Sequence, residues 1–427
     1  MVYFLIALLV LVMLSGAPLF VVILSAAMMG FYFADIDLSI IAIELYRITE
    51  TPLLLALPLF TFAGYLLSES QASERLIKLT RVFFGWMPSG LAIVSLVACA
   101  VFTAFTGASG VTIVALGALL LPALIKEGYD KKFSLGLVTS TGSLGLLLPP
   151  SIPLILYGII VQQMDIGQNF TLTELFMAGL LPGLLMIIIL AVWVAWITRH
   201  RVSEKTSFCW KQAVDAVRDA AWELPLPLFI LLGIFGGFFA VSEVAAVTAL
   251  YVLIVECLIY KEINLRKLID VMSDSMQMVG GILLILAVSM AFTNYLVDAE
   301  VPLHLFEWVK ENVDSRLTFL VVLNLFLLVL GAILDIFSAL IIVVPLIVPV
   351  AIGYGVHPVH LGMIFLANMQ IGYLTPPVGM NLFIASYRFN RPITELYQAT
   401  LPFMLILLFC VIIITYVPWL SLWFLEP

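Results

Sequence analysis

Long apolar runs separated by short polar stretches fill this chain. In the first half they cover roughly 3–14, 18–34, 51–68, 87–104, 111–125, 133–163 and 174–197. In the second half they cover roughly 225–240, 244–260, 276–297, 317–331, 339–352, 359–386 and 399–425. Most runs are about as long as a helix needs to cross the hydrocarbon core of a bilayer. The pattern therefore predicts an all-α polytopic membrane protein.

The order of runs in the first half recurs in the second half at a spacing of 227 residues. A Pro-Pro pair interrupts one long run in each half, Pro149-Pro150 and Pro376-Pro377. Other glycines and prolines keep the same spacing: Gly145 and Gly372, Gly128 and Gly355, Pro122 and Pro349. This predicts two homologous repeats, 1–197 and 223–427, joined by a polar connector at 198–222. Paired apolar segments broken by glycine and proline point to the binding site of a secondary transporter.

Lysine and arginine set the expected orientation, because they favour the cytoplasmic side. The connector carries their largest cluster: Arg199, Arg201, Lys205, Lys211 and Arg218. No Lys or Arg lies between Lys132 and Arg199, so the loop at 162–173 is expected on the outer side. Both flanks of 87–125 then fall on one side, which predicts a re-entrant hairpin there and a second one at 317–352. Two full crossings are the alternative, but arms of 15–18 residues are marginal for a core of about 30 Å.

Each repeat then has five crossings plus one hairpin, together with a broken helix at 133–163 or 359–386. An odd number of crossings makes the repeats inverted, a geometry suited to alternating access. The composition, 63% hydrophobic and 11% charged, excludes a soluble protein. There is no basic face for a nucleic acid. The four cysteines form no CxxC pair, so neither a disulfide framework nor a metal site is indicated.

Four places combine irregular backbone with polar side chains: hairpin tips 105–110 and 331–338, and helix breaks 142–151 and 369–378. Such backbone is tolerated at membrane depth only where it lines a cavity or is buried in protein. Carbonyl ends of half-helices suit cations, and amide ends suit anions. We therefore expect two cation sites flanking one anion site. The structural alternative is that the Ser and Thr hydroxyls only satisfy helix backbone or contacts between helices.

Asp335 is the acid that the pattern places at a hairpin tip, where the equivalent residue of the first half is Ala108. An acid within the membrane is a functional candidate. An Asp at a helix start also caps the helix, and both interpretations stay open.

The quartet Gly107-Ala108-Ser109-Gly110 allows a different function, an intramembrane serine protease with Ser109 as nucleophile. Such an enzyme needs a His on another helix to activate the Ser. The candidates His357 and His360 are expected at the opposite side of the membrane, so we predict no enzyme activity.

The runs Phe105–Thr112, Gly142–Ser151 and Thr375–Asn381 together resemble the large membrane subunit of tripartite ATP-independent periplasmic (TRAP) transporters, over essentially the whole chain. The resemblance implies a sodium-coupled symporter of the ion-transporter superfamily, with an elevator motion, in the bacterial inner membrane. It implies a small four-helix membrane subunit and a periplasmic substrate-binding protein as partners. The solute would be a small organic acid anion such as a sialic acid, a dicarboxylate or a sulfonate. A stand-alone sodium/dicarboxylate carrier or antiporter remains the alternative.

The expected site residues lie at the tips and breaks, where the resemblance also implies cation sites. Sodium is expected at one side near Thr106, Gly107, Ser109, Thr141 and Gly142. At the other side it is expected near Gly331, Asp335, Ser338, Gln370, Gly372 and Thr375. The anion is expected near Ser109, Ser143, Ser151, Thr375 and Asn381. No cofactor is expected beyond the sodium ions, although the residues themselves do not distinguish sodium from protons.

The motion would separate a moving domain from a frame. The moving domain would comprise the two hairpins and the two broken helices. The frame would comprise 3–68, 174–197, 225–297 and 399–425. The amphipathic stretches Ala72–Phe84 and Asp298–Val313 precede the hairpins and are expected to link the two parts.

Overall fold

Helices make up every regular element of the structure, a computed structural model that describes residues 9, 11–12, 15–84, 89–164, 170–199 and 210–424. Most of the predicted run 3–14 lies outside these residues. The helices are α1 Leu19–Phe33, α2 Ser39–Arg47, α3 Ala56–Glu69, α4 Ala72–Phe84, α5 Gly90–Thr106, α6 Ser109–Lys126, α7 Lys131–Thr141, α8 Ile152–Gln163, α9 Leu172–Thr198, α10 Trp210–Asp219, α11 Pro225–Phe235, α12 Val241–Ile254, α13 Leu265–Asp298, α14 Val301–Asn312, α15 Arg316–Ile333, α16 Ile336–Gly353, α17 Pro358–Gly372, α18 Met380–Phe389, α19 Ile393–Tyr416 and α20 Trp419–Leu422. Short 3₁₀ helices occupy Ile48–Glu50, Pro52–Leu55 and Leu144–Leu147, and a π-helix at Val255–Ile259 continues α12.

Nine segments within the described residues are long and apolar enough to cross a membrane. Within Lys131–Gln163, which contains the first helix break, 94% of the most apolar 18-residue stretch is buried, whereas only 33% of Arg316–Ile333 is buried. The first broken helix therefore lies at the centre of the molecule, and α15 lies at its periphery. These observations confirm the predicted all-α polytopic membrane fold.

One pair of helices from the two halves has bounds that differ by the spacing of 227 residues: α6 and α16. Both Pro-Pro bonds are cis, and the equivalent glycines Gly128 and Gly355 both have left-handed backbone, with φ of 84° and 73°. Other pairs follow the spacing less closely, since α9 would correspond to 399–425, whereas α19 is Ile393–Tyr416. The inverted arrangement of the repeats, and the re-entry of the hairpins into a bilayer, stay predictions.

Equivalent helix pairs pack reciprocally. Helix α6 of the first hairpin packs on α18, and its counterpart α16 packs on α8. In the same way α3 packs on α12, and α13 packs on α1. In each case a helix of one half contacts a helix of the other half, and the two equivalent helices also contact each other. Reciprocal contacts of this kind are expected where two units are related by two-fold symmetry. The two halves are therefore intertwined rather than placed side by side.

Two of the predicted frame helices lie against the broken helices. Helix α19 packs on α7 and α17, and α9 packs on α19 and on the 3₁₀ helix Leu144–Leu147. Helices α1, α3, α12 and α13 pack on one another. The division of the chain into a frame and a moving domain stays a prediction.

Other differences have local causes. Helix α13 begins at Leu265, whereas the apolar run began near 276. The run began late because Arg266 and Lys267 lower the hydropathy of the first turns of the helix. Its start is nevertheless well defined, since the Asn264 side chain accepts the Lys267 N–H at 2.9 Å. The connector contains the amphipathic helix α10, and helix α19 ends at Tyr416, shortly before Pro418. Amphipathic segments of this kind escape a search for long apolar runs.

Candidate functional site

A cavity of about 240 Å³ lies where the two hairpin tips meet the two helix breaks. Its lining includes equivalent residues of both halves: Ala108 to Gly110 with Asp335 to Phe337, and Leu146 with Tyr373. Gly107, Met380 and Ile384 complete it. Of the predicted site residues, the cavity thus brings together Gly107, Ser109 and Asp335. The tips that the sequence placed in separate halves meet around one space.

The first tip turns at Gly107, whose φ of 64° suits glycine. A Cβ atom there would lie 2.5 Å from Ile152, at the start of α8. The Thr103 hydroxyl oxygen lies 2.8 Å from that of Thr112 and 2.9 Å from the carbonyl oxygen of Gly142. Thr103 therefore links both arms of the first hairpin to the end of α7.

The second tip is stabilised by a carboxylate. Oδ2 of Asp335 accepts the backbone N–H groups of Phe337 and Ser338, each at 3.0 Å, and Oδ1 accepts the Ser338 hydroxyl. The Ile336 N–H donates to the Tyr373 hydroxyl oxygen at 2.7 Å. The helix-capping interpretation of Asp335 is therefore observed, and a direct role toward an ion stays a prediction.

The second tip and the second break also touch through backbone. A Cβ atom on Gly372 would lie 2.5 Å from the carbonyl carbon of Gly331. The backbones of α15 and α17 are therefore too close for a side chain at position 372. The Gly379 N–H donates to the carbonyl oxygen of Ala332 at 3.2 Å. These contacts hold α15 close to the end of α17.

Buried polar side chains without a hydrogen-bond partner among the described residues surround both breaks. They include Thr106, Ser140, Ser143, Ser151, Gln370 and Asn381, all fully buried. Leaving a buried polar group unsatisfied costs about 1–3 kcal/mol. Such groups in a native structure call for an ion, a water or a ligand. Five of the six belong to the predicted ion and anion positions, and none of the six is among the residues that line the cavity.

Two predicted residues have hydroxyl groups that bond to the backbone of the helix they belong to or directly follow. The Thr141 hydroxyl donates to the carbonyl oxygen of Leu137 at 2.8 Å, and the Thr375 hydroxyl donates to that of Ile371 at 3.0 Å. This is the structural role that the sequence left open for Ser and Thr. Each hydroxyl oxygen still has lone pairs to offer an ion.

The sequence missed two polar features near the second break. Tyr373 holds the second tip, yet an aromatic residue in an apolar run gives no signal of its own. Asn368 Nδ2 donates to Asn324 Oδ1 at 2.6 Å, and the Thr415 hydroxyl donates to the same Oδ1 at 3.2 Å. This network joins α15, α17 and α19. In the sequence it is visible only as single polar residues within three separate apolar runs.

The histidines do not support the protease alternative. The His360 ring lies with Nε2 3.2 Å from the carbonyl oxygen of Thr415. His357 Nδ1 accepts the Val359 N–H at 3.2 Å at the start of α17. Neither residue lines the cavity that contains Ser109.

An ion-pair network holds the amphipathic helix α4 beside the site. Arg75 contacts Glu223 at 2.6 Å, Glu256 at 3.3 Å and Glu262, and its guanidinium lies 4.0 Å from the ring centre of Tyr260. Burial opposes the charge of Arg75, but hydrogen bonds to Glu223 and Glu262 outweigh it and raise the Arg75 pKa. For Glu262, burial acts to raise the pKa, and the hydrogen bond from Arg75 brings it below its ordinary value.

Comparison with known proteins gives a consistent result. The family model for the DctM component of the tripartite ATP-independent periplasmic transporter matches residues 2–420. A C4-dicarboxylate TRAP transporter large permease of Rhodobacter capsulatus is 34% identical, over 97% of this chain and 96% of its own. An isethionate TRAP transporter permease of Oleidesulfovibrio alaskensis is 32% identical, over 87% of this chain and 58% of its own. The YdaH transporter of Alcanivorax borkumensis has a similar fold, with a TM-score of 0.61 and 16% identity over 87% of this chain and 86% of its own.

Proposed function

We propose a transport function from one premise: this chain belongs to the family of DctM components, the large permeases of TRAP transporters. The chain would be the large permease subunit of a sodium-coupled secondary transporter that depends on a binding protein. It would import a small organic acid anion by an elevator mechanism. The chain is a multi-pass membrane protein, and we place it in the bacterial inner membrane.

One observation carries the proposal. Two hairpin tips and two helix breaks surround a single cavity, and buried polar groups without partners lie around the breaks. Secondary transporters bind solute and coupling ions where unwound half-helices meet. A structural scaffold would gain nothing from leaving Gln370 and Asn381 without partners, since each buried group costs free energy.

Sodium fits the groups at the carbonyl ends of the half-helices. Thr106 ends α5, Thr141 ends α7 and Gly372 ends α17, so carbonyl oxygens with lone pairs to offer an ion collect there. The unpartnered oxygens of Thr106 and Gln370 lie beside them in sequence. Unwound carbonyls and half-helix carbonyl ends are the sodium ligands of transporters with broken helices. We therefore assign the two coupling-ion sites to these ends, one in each half.

The packing supports the proposed elevator motion. Helices α1, α3, α12 and α13 would form the frame, and the hairpins and broken helices would move with α9 and α19. Helix α4 contacts α5 of the first hairpin, and α14 contacts α16 of the second. These amphipathic helices would link the moving part to the frame.

The partners and the solute are inferred from the family. TRAP large permeases work with a small membrane subunit and a periplasmic binding protein, and we expect both here. Relatives are named for C4-dicarboxylates, for isethionate and for ectoine. The first two are anions, which would suit a cavity bounded by helix amide ends.

Reconstitution tests the proposal. The chain, its small subunit and its binding protein are placed in liposomes, and uptake of labelled succinate and isethionate is measured with an inward gradient of sodium or of potassium. We expect accumulation that needs both sodium and the binding protein. Sodium-driven uptake without the binding protein would indicate a stand-alone carrier instead. Absence of uptake by the intact complex would contradict the assignment of these solutes.

A further inference from the structure

A fully buried carboxyl group lies in the π-helix Val255–Ile259, outside the cavity between the hairpin tips. Glu256 has no exposed surface, and its Oε1 atom has no hydrogen-bond partner among the described residues. An ionised carboxylate is costly to bury unless other groups compensate its charge and bond to its oxygens. A π-helical turn within a longer helix is also frequent at functional sites. The burial of Glu256 therefore calls for a positive partner.

The groups in contact with Glu256 carry more negative than positive charge. Its Oε2 atom lies 3.3 Å from Arg75 Nη2, but Arg75 also pairs with Glu223 and Glu262, so one guanidinium faces three carboxyl groups. The Oε1 atom of Glu223 already accepts two Arg75 nitrogens, at 2.6 and 2.9 Å. The carboxyl groups of Glu223 and Glu256 also lie within hydrogen-bond reach of each other. Two carboxylates in contact repel strongly when both are ionised.

The lysines near the cluster do not supply a second positive charge. Lys78 pairs with Asp219, and Lys267 lies 3.3 Å from Glu69, so each has an acid of its own. Lys261 is exposed. The described residues also contain no group of three His, Cys, Asp or Glu side chains placed to hold a metal ion. A proton is the cation that remains.

Two tyrosines beside the cluster donate their hydrogens elsewhere. The Tyr251 hydroxyl donates to the carbonyl oxygen of Trp222, and the Tyr260 hydroxyl donates to that of Asp219, each at 2.6 Å. A phenol has a single hydrogen to donate, so neither hydroxyl satisfies Glu256. The free thiol of Cys257 is uncharged near pH 7. The tyrosine bonds instead tie the end of the connector to α12 and to the residue after the π-helix.

We propose that Glu223 and Glu256 share one proton near neutral pH, so that the pair presents a single negative charge to Arg75. Three segments meet at this pair: α4 through Arg75, the residues before α11 through Glu223, and the π-helix through Glu256. The shared proton replaces repulsion between two carboxylates by a hydrogen bond. Its loss would drive Glu223 and Glu256 apart and loosen the junction of the three segments.

The site gives the junction a dependence on pH. The cluster lies on the side of the membrane that the lysines and arginines assign to the cytoplasm, and α4 contacts α5 of the first hairpin. Above about pH 5, where an unfolded Glu is ionised, a lower pH would therefore strengthen the attachment of α4. The proton site itself does not depend on the proposed transport function, since it rests on Glu223, Glu256 and Arg75 alone.

The first test replaces the shared proton by an amide. Glu256→Gln has the shape of the neutral acid, and its amide can donate to Glu223. Glu262→Gln is the control, because Glu262 is bonded to Arg75 by both oxygens and has a lowered pKa. In thermal unfolding at about pH 7, we expect Glu256→Gln to melt at or above the wild-type temperature and Glu262→Gln to melt below it. A Glu256→Gln variant that melts below Glu262→Gln, or does not fold, would overturn the proposal.

The pH profile of the same variants gives a sharper readout. With the shared proton, the folded protein holds one proton more than the unfolded chain, so its stability decreases as the pH rises until that proton leaves. Relative to Glu256→Gln, the unfolding equilibrium constant of the wild type is expected to increase by up to about tenfold per pH unit above about pH 5. Parallel profiles would overturn the proposal. Recovery of the wild type at about pH 9 by added sodium chloride, as fully as by acid, would also overturn it, because a cation other than a proton would then hold the pair.

Infrared spectroscopy observes the proton directly. A protonated carboxyl group has a C=O stretch separate from the bands of a carboxylate. We expect the wild type and Glu262→Gln to show this band at about pH 7, and Glu256→Gln to lack the share of it that comes from the pair. An identical band in the wild type and Glu256→Gln would contradict a proton shared by Glu223 and Glu256.

Discussion

The two halves differ in where a charged side chain stabilises the structure: in the amphipathic helix before the hairpin in the first half, and at the hairpin tip in the second. In the first half, Arg75 fixes the amphipathic helix α4, and the hairpin tip holds no charge. In the second half, Asp335 fixes the hairpin tip, and the position equivalent to Arg75 is Pro302. Equivalent backbone thus has unequal chemistry.

The largest effect on stability is expected from Arg75→Ala. It leaves Glu223, Glu256 and Glu262 without their shared cation, and breaking a buried pair from one side costs about 3–5 kcal/mol. Lys78→Ala is the control, because its pair with Asp219 is half exposed and worth about 0–1 kcal/mol. Thermal unfolding of the purified protein in nanodiscs measures both. Equal melting temperatures for the two variants would mean that the network does not hold α4.

Asp335→Ala is expected to have the next largest effect. It removes the acceptor of two backbone N–H groups and one hydroxyl, and loss of a cap costs about 0.5–2 kcal/mol. Asp335→Asn keeps one acceptor oxygen and should lose less. The same melting assay compares the two. If the Ala variant melts like the wild type, the second tip does not depend on its cap.

Tyr373→Phe sharpens the comparison of the tips. It deletes the oxygen that accepts the buried Ile336 N–H, so about 1–2 kcal/mol is expected to be lost. Tyr397→Phe is the control, since its hydroxyl donates to Pro377 at an exposed position. A loss for Tyr397→Phe as large as for Tyr373→Phe would argue against a special role of the buried hydroxyl.

Acid should weaken the Arg75 network. The pKa of Glu262 is lower in the folded protein than its ordinary 4.5, so its contribution to stability is present above pH 4.5 and is lost as pH falls through the lowered pKa. The melting temperature of the wild type is therefore expected to decrease as the pH is lowered below about 4.5. Arg75→Ala should show a flatter profile over that window. A parallel fall in the two proteins would assign acid sensitivity to other groups.

Ser143→Ala is expected to cost no stability, because its buried hydroxyl has no partner to lose and its removal relieves the cost of about 1–3 kcal/mol of an unsatisfied polar group. Uptake should nevertheless fall if the hydroxyl serves a ligand. Ser95→Ala is the matched control: that hydroxyl is equally buried and bonds to the Leu91 carbonyl of its own helix. A strong loss of stability in Ser143→Ala would show that the hydroxyl serves the fold.

The sequence predicted the breaks at Pro149-Pro150 and Pro376-Pro377 because two consecutive prolines remove two backbone N–H groups that a helix needs. Single prolines did not interrupt a helix, since Pro122 and Pro349 lie inside α6 and α16. The sequence did not predict the Arg75 network, because Lys and Arg were used only to assign the cytoplasmic side of the membrane. The acidic partners of Arg75 lie about 150 or more residues away in the chain. Tyr373 escaped for the same reason: its hydroxyl acquires a role only when the fold places it beside Ile336.

The predicted site residues separated into three groups for physical reasons. Gly107, Ser109 and Asp335 line the cavity because tips project to where the halves meet. A second group is fully buried and does not line the cavity: Ser143, Ser151, Gln370 and Asn381. The sequence could not predict which way these side chains face, because helical periodicity does not apply where the backbone is unwound. Thr141 bonds to the backbone of its own helix, and Thr375 bonds to the last turn of α17 just before it, an option that Ser and Thr have four residues after any helix carbonyl.

A high-resolution cryo-EM structure of the reconstituted complex, determined with sodium and with the solute that it transports, tests the central claim most directly. The account predicts solute density in the cavity between the tips, bounded by Ser109, Phe337 and Tyr373. Solute density outside that cavity would contradict it.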